Sequence, residues 1–551
     1  MDYPNATSTQ SQPHFSSYEN SVSKTHRGQT FDEETQSPEN NNNNSIHQHL
    51  SHDLVLSDSE EVDEFIHKYG HVEFQYIKKP QDSFWFVRPH ALNYFKDGVL
   101  YRTKGERTSG KTELFLDLMY VGIVANLASD ATEHASAASF LKYMLLFIPS
   151  WTVWSDIKDF VNYYYSEDLS QKLYLLWILI LLLVYDNNCT YVLDGRGEAA
   201  LTVVPYMLCR LSLAISLLFY SIFIPEHRLQ MRVYGCTIIV FCCVWISVIF
   251  IDTRAKIGVS IAIMFLEHST FCLIYHPWFK KNVLHLTCST ALNIEHEVER
   301  FGAFFIIAIG EFLYKTVAGN PVGAGFQGKL SRGICLLIIS YCFLWLYFNS
   351  GTSVKATHPL RRSGAAAICW IYSHIPLIAG LILAADSAGE WITLENTSTA
   401  KHPSHEESST TETVLKFLFR RAAESSSESS SSSSEETEEP SMYALSFFFT
   451  GGLCAALWAL TIMGFAEKSR DPWNTHVVTK FWRIAPRFPA GVIILCMSFA
   501  EMSTTHLLGF TAMICVILWL WESVTMTPRA NLPPVLGGHC DITPSDIIER
   551  F

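Results

Sequence analysis

From residue 114 onward the chain alternates long apolar runs with short polar breaks. A helix crossing a bilayer takes roughly 20 predominantly apolar residues. Runs of that kind recur between Leu114 and Trp521 and predict spans over 114–129, 138–156, 173–190, 200–222, 232–251, 257–275, 301–318, 333–349, 364–385, 442–465, 488–502 and 505–522. The predicted fold is all-α: a polytopic transmembrane helical bundle of about 12 spans, preceded by a disordered polar tail.

The breaks divide the chain. Residues 1–85, with the run ENNNNNSIHQ, lack the apolar density to fold and read as disordered. Residues 86–112 form a basic juxtamembrane segment carrying Arg88, Lys96, Arg102, Lys104, Arg107 and Lys111. Spans one to nine occupy 113–386, a Ser/Glu-rich polar loop 387–440, spans ten to twelve 441–522, and a polar C-terminal tail 523–551. The polar opening does not resemble a secretory signal, so the first span is expected to act as its own insertion signal.

Cytoplasmic loops of membrane proteins hold an excess of Lys and Arg. With the amino terminus inside, the cytoplasmic loops carry Arg228 and Arg232, Lys280 and Lys281, Lys355, Arg361 and Arg362, then Lys468, Arg470, Lys480 and Arg483. The opposite loops hold Arg196, Arg254 with Lys256, and Lys329 with Arg332. Both termini are therefore expected in the cytoplasm, with the sequons at Asn188 and Asn396 on the other side. Which membrane holds the chain is not legible.

Composition agrees with this reading: 49% of the 551 residues are hydrophobic and 17% charged. The net charge of −13 comes largely from acidic segments such as SDSEEVDEF and SSSESSSSSSEETEEP, and no basic stripe suits a nucleic acid. The fourteen cysteines show no CxxC pair and read as small buried hydrophobes, so no disulfide, metal site or cofactor is expected.

Several spans carry residues that a membrane interior tolerates only for a reason. Glu113 and Asp117 are four apart and share one helical face, a spacing at which two carboxylates can hold a proton between them. Arg210 lies near the centre of the fourth span, where an isolated Arg costs about 2.5–3.5 kcal/mol, so it should face an acid inside the bundle. His374 sits two residues before Pro376, and Glu267, His268 and Glu501 add to the set. At about 100° per residue, His296, Arg300, Ala303, Ile307 and Glu311 form one stripe expected to look inward, with Lys315 within reach of Glu311. The run HEVER falls short of the HExxH zinc signature, because Arg300 stands where the second His is needed.

Taken in order and spacing, ELFLDLMYV, WTVWSDIKDFVNYYYSEDL, Arg210, HEVERFGAFFIIAIGE, LWLYFN, YSHIPLIAGLIL and FTGGLCAALWAL resemble the low temperature requirement A (LtrA) family over about residues 110–525. The resemblance implies an integral membrane protein and brings no established substrate. Its motifs fall on Glu113, Asp117, Asp156, Arg210, His296, Glu299, Arg300, Glu311 and His374. The chain departs from the pattern in Asn349, where an acid is expected, in its long N-terminal tail and in the Ser/Glu insert.

Two functions fit this inventory. One is a secondary transporter or ion pathway, moving a proton, a cation or a small anion, with those nine residues as pathway candidates. The other is a non-transporting scaffold or sensor in the lipid bilayer whose buried charges only fix helix packing. An enzyme is not expected, since no nucleophile and base stand at a workable spacing.

Overall fold

The computed structural model describes residues 74–77, 79–81, 83–104, 107, 109–318, 321–323, 325, 327–349, 358–393, 442–467, 478–500 and 502–527. The far N-terminal tail, the Ser/Glu-rich loop with Asn396, the C-terminal tail and residues Lys355, Lys468, Arg470 and Glu501 lie outside them. The helices of ten residues or more are α1 (Lys111–Glu133), α2 (Ala137–Tyr164), α3 (Leu169–Cys189), α4 (Arg196–Phe223), α5 (Arg228–Phe250) and α6 (Thr253–Tyr275). They continue with α7 (Ile294–Val317), α8 (Gly328–Phe348), α9 (Gly364–Thr393), α10 (Met442–Ala466), α11 (Arg487–Cys496) and α12 (Thr504–Thr525).

Among the described residues nine of these are long and apolar enough to cross a membrane: α1, α3 to α6, α8 to α10 and α12. Helices α2 and α7 match them in length and carry charge within the bundle, including Asp156, Lys158 and Asp159 on α2 and Glu297, Arg300 and Glu311 on α7. Each also outruns its predicted span, α2 to Tyr164 and α7 back to Ile294, because its polar residues there are paired inside the bundle and the helix need not end in water.

The predicted eleventh span is the exception. With ten residues, α11 is about 15 Å long, half of a hydrocarbon core. A 3₁₀ turn at Met497–Phe499 carries the chain further, placing Ser498 Oγ 2.6 Å from Thr450 Oγ1 and within 3.0 Å of the Ser446 carbonyl near the start of α10. Arg487, at the other end of α11, donates to the Leu460 carbonyl near the end of α10.

These contacts fix an alternating course. The start of α1, the end of α2 and the start of α7 meet through Arg107, Asn162 and His296. Arg487 joins the ends of α8, α10 and α12 on the same side, through Leu346, Leu460 and Glu522. At the opposite side, Thr132, Lys315 and Asp386 bring together the ends of α1, α7 and α9, and Arg332 meets Thr504 at the starts of α8 and α12.

Capping side chains mark several helix starts, among them Ser136 with Ser139 before α2, Asp168 before α3 and Asn293 before α7. Helices α9 and α10 touch backbone to backbone where Gly380 faces Gly452, and a Cβ on either would overlap the other's carbonyl. Large apolar side chains such as Leu183, Ile215, Val240, Phe265 and Ile517 point outward.

A small sheet stands beside the helical bundle. Strand β1 (Phe74–Ile77) falls within the 1–85 stretch expected to be disordered, β2 (Asn93–Lys96) and β3 (Val99–Thr103) lie in the basic segment before α1, and β4 (Cys288–Thr290) joins from the α6–α7 connection, in the order β1-β3-β2-β4. Strand β3 runs parallel to β1 and antiparallel to β2. Asp97 and Gly98, both at positive φ, make the tight turn between β2 and β3, and Tyr94 stacks on Tyr101 across that pair at 4.9 Å. The sheet is anchored to the helices through Leu92 N–H to the Tyr163 carbonyl at 3.1 Å and Val87 N–H to Asp168 at 2.9 Å. This side of the bundle is called the sheet face below, and the other the far face.

Candidate functional site

Helices α1, α2 and α7 bring their polar residues together just inside the sheet face. Glu113 is held from two sides: Arg107 donates to one oxygen at 2.7 Å and His296 Nε2 lies 2.6 Å from the other. The His tautomer follows from Asn162. Its Oδ1 accepts the Asn293 N–H at 2.9 Å, which turns the amide NH2 toward His296 Nδ1 at 3.1 Å and Glu297 at 3.2 Å. His296 therefore accepts at Nδ1 and donates its Nε2–H to Glu113.

One turn deeper, Arg300 makes a bidentate pair with Asp117, 2.7 Å to each oxygen, and Trp154 Nε1 donates to Asp117 at 2.8 Å. Arg300 Nε is 3.5 Å from Glu113. Beside this pair the buried Lys158 bonds Asp159 at 2.6 Å and Glu297 on α7. Glu113 and Asp117 thus share a face as expected, yet each carboxylate has its own cation, and no proton is shared between them.

Above these charges lies an aromatic layer. Trp154 stacks on Phe304 at 4.5 Å, Trp151 packs on Trp154 at 5.0 Å, and Tyr120 packs on Phe304 at 5.5 Å. His374 on α9 joins its edge, its ring 4.1 Å from Phe301. His374 Nδ1 lies 2.9 Å from the Trp370 carbonyl, so it carries the proton there, and Nε2 accepts from the Tyr347 hydroxyl at 3.1 Å.

Beyond the aromatic layer, at the far face, a second cluster forms where Asp386 on α9 binds both Lys315 and Thr132. Lys315 therefore pairs across helices rather than with Glu311 in its own helix. Glu311 is half-buried and makes no hydrogen bond among the described residues. The buried face of α7 centres on Glu297, Phe301, Phe304 and Ala308, roughly 90° round from the centre of the predicted stripe, so Glu311 falls at its edge. Glu299 is exposed and accepts the Ser109 N–H at 3.2 Å.

A separate buried group joins α2, α4, α5 and α6. Arg210 binds Asp156 and lies 3.6 Å from Glu267, while Tyr234 donates to Asp156 at 3.1 Å and Tyr206 to Glu267 at 2.9 Å. His268 stands within 3.3 Å of Thr152 and 3.2 Å of Tyr372.

Five important residues escaped the sequence reading. Lys158 and Glu297 lie in polar stretches outside the predicted spans, Asp386 falls at the boundary of the predicted nine-span block, and Arg487 and Glu522 stand just before the predicted span 488–502 and at the last residue of 505–522. Arg487 is fully buried and bidentate to Glu522, at 2.6 and 2.7 Å. For Asp386 the signal was available: an acid at the end of an otherwise uncharged apolar run of α9. Asn349, which stands where the resemblance led us to expect an acid, faces Met526 at the end of α8.

Outside the membrane-spanning segments, burial shifts several groups on the sheet face. Burial and the nearby Lys280 charge hold His227 down at about 3, and burial brings Lys280, whose partners are Ser289, Thr290 and the Tyr275 ring, down to about 8. Burial also lowers the pKa of Arg107, against the opposing pull of Glu113. Among the described residues no three His, Cys, Asp or Glu side chains converge as metal ligands would.

No curated protein and no solved structure matches the chain. A family model described as bacterial low temperature requirement A protein (LtrA) matches residues 108–521, from the approach to α1 to the last turn of α12. Helices α1, α2 and α7, which build the sheet-face cluster, fall wholly within that match, and the chain belongs to the LtrA family.

Proposed function

We propose that this LtrA-family membrane protein is a secondary transporter or proton-coupled ion pathway, with its route along α1, α2, α7 and α9. The observation that carries this reading is the arrangement along α7: a buried charge cluster near each end, separated by an aromatic layer. Static packing needs few such ties, whereas an occluded pathway needs a site at each mouth and a barrier between them. Glu113 with His296 is the proton-loading pair, since a short charge-assisted bond already joins them. Arg300 with Asp117 is the latch beneath the aromatic barrier, and Asp386 with Lys315 and Glu311 the far site. His374, tied to Tyr347 at the barrier's edge, relays a proton when the aromatic layer parts.

In liposomes, Glu113→Gln should leave the protein inserted and abolish pH-dependent flux of protons, cations or small anions, and Glu311→Gln should reduce it. Parent-like flux in Glu113→Gln would refute the assignment.

A second reading is favoured by the bidentate pairing of two fully buried arginines, Arg300 with Asp117 and Arg487 with Glu522, which is how packing ties look. Exchanging the first pair as Asp117→Arg with Arg300→Asp separates the two. A pathway tolerates the exchange poorly, whereas full recovery of stability and activity means that the charges serve packing alone.

The sheet face carries Arg228, Arg232, Lys280, Lys281, Arg361, Arg362, Lys480 and Arg483, an excess that supports a cytoplasmic orientation for it. A glycosylation sequon introduced at Gly325, in the α7–α8 loop, should be modified, and one at Asp97 should not. Modification at Asp97 would reverse the orientation.

A further inference from the structure

The stretch between β1 and β2 carries Phe84, Trp85 and Phe86 in succession, and they are 69%, 72% and 42% exposed. Three consecutive large apolar side chains facing outward call for a surface other than water. The loop is nonetheless held in place. The Phe84 carbonyl accepts the Leu169 N–H at 2.8 Å, Val87 N–H donates to Asp168 at 2.9 Å, and Phe86 packs on Phe219, near the end of α4, at 6.2 Å.

Those anchors fix its height. Leu169 is the first residue of α3, whose 21 residues make a helix about 32 Å long, enough to cross a hydrocarbon core of about 30 Å with little to spare. The start of α3 therefore lies at the boundary between acyl chains and headgroups, and the loop lies beside it. Its apolar surface is continuous with the outward surface of the bundle, since Leu173 of α3 and Phe219 and Ile222 of α4 are exposed at the same level. Charge agrees. Arg88, two residues after the rings, and Lys172, in the first turn of α3, are exposed cations, with Glu167 the exposed acid beside them. Aromatic rings at the helix boundary with cations reaching past them are the pattern of a membrane–water interface. Trp278, just past α6, and Trp482, ahead of α11, continue the exposed aromatics elsewhere on the sheet face.

We propose that the loop at 84–86 is an interfacial anchor inserted into the leaflet at the sheet face, its rings among the glycerol and upper acyl carbons and Arg88 and Lys172 on lipid phosphates. The partner is a phospholipid surface, because the level of the loop and its continuity with α3 and α4 set lipid against it. Insertion here has a structural consequence. The loop joins β1 to β2, and just before β2 Leu92 N–H donates to the Tyr163 carbonyl, so the anchor holds the sheet against the end of α2. The inference stands apart from the transport reading, since lipid contact is measured without any flux.

The test uses the full-length protein in phosphatidylcholine nanodiscs carrying a trace of phosphatidylcholine with a diazirine either beside the glycerol or at the acyl chain end, and reads the labelled residues by mass spectrometry after illumination. Residues 84–86 should be labelled severalfold more by the shallow probe than by the deep one. Phe265, exposed midway along α6, should show the reverse. Lys96 and Asp97, exposed at the β2–β3 turn, should take little of either label. Phe84→Ser with Trp85→Ser should lower shallow labelling of the loop severalfold and leave deep labelling of Phe265 unchanged. If gel filtration shows that this variant does not fold, the parent measurement decides alone. No labelling of the loop by either lipid, stronger labelling there by the deep probe, labelling no higher than at the β2–β3 turn, or crosslinking of the loop to a second protein chain in place of lipid would overturn the proposal.

Discussion

The pairing of Asp117 with Arg300 permits a quantitative prediction. Asp117 has no solvent exposure and accepts three hydrogen bonds, two of them from Arg300. Removing one member of a buried pair costs about 3–5 kcal/mol. Asp117→Asn keeps one acceptor for Trp154 and Arg300 but sets an amide donor against a guanidinium donor. Arg300 then retains Glu113 at 3.5 Å as a second counter-charge, so the cost should fall near the lower end, about 3 kcal/mol. Arg300→Met is worse. It strands a fully buried carboxylate with only the Trp154 N–H, and the cost should approach 5 kcal/mol. In the double variant neither charge remains, and its cost should be at least about 2 kcal/mol below the sum of the singles. Unfolding in mixed micelles by SDS titration, followed by far-UV circular dichroism, measures all four corners of the cycle. Simple additivity, or a larger loss for Asp117→Asn than for Arg300→Met, would show that these side chains do not meet as described.

Acid should destabilise the sheet face through His227. Burial keeps this residue neutral in the folded protein down to about 3, while its unfolded form protonates near 6.5. Its contribution is therefore complete above about pH 6.5 and lost as pH falls toward 3, reaching about 1.4 kcal/mol at pH 5.5. His227→Phe should flatten that limb of a pH–stability curve, and an unchanged slope would discount the shift. Arg487→Met should cost about 3–5 kcal/mol by isolating Glu522, whereas Arg487→Met with Glu522→Leu should recover most of it in the same SDS titration; a double variant no better than the single refutes the pairing. Gly452→Ala should separate α9 from α10 and cost about 1–3 kcal/mol or more, with Gly451→Ala, whose Cβ would meet only Leu495 at 3.9 Å, as the tolerated control. Equal thermal stability of the two would contradict the close approach.

Much of the architecture is legible in hydropathy, because a peptide group in lipid must be hydrogen-bonded within its own segment and the only local solution is a helix. The rule works by composition, and it weakens where helices bury charge. Helices α2 and α7 extend past their apolar cores on the strength of Lys158, Asn162, His296 and Glu297. It also missed the sheet, although FKDGVLY carries the Asp-Gly turn flanked by strand-forming residues. That segment was read for its basic charge alone. Its partner strand Cys288–Thr290 is three residues long and nearly 190 positions away, so no local signal could have joined them.

The order of amino acids by itself determined that this chain is a bundle of membrane helices and that Glu113, Asp117, Arg210, His296 and Arg300 must find partners inside it. Both follow from the cost of removing peptide groups and charges from water, which each segment meets independently of the others. Tertiary structure alone decided who the partners are. Glu311 stands one turn from Lys315 in sequence, yet Asp386 takes the lysine from another helix, and Glu113 and Asp117 divide among Arg107, His296 and Arg300. Those choices depend on the rotation and height of one helix against its neighbour, set by contacts such as Gly380 on Gly452 and Trp154 on Phe304 that no single segment encodes.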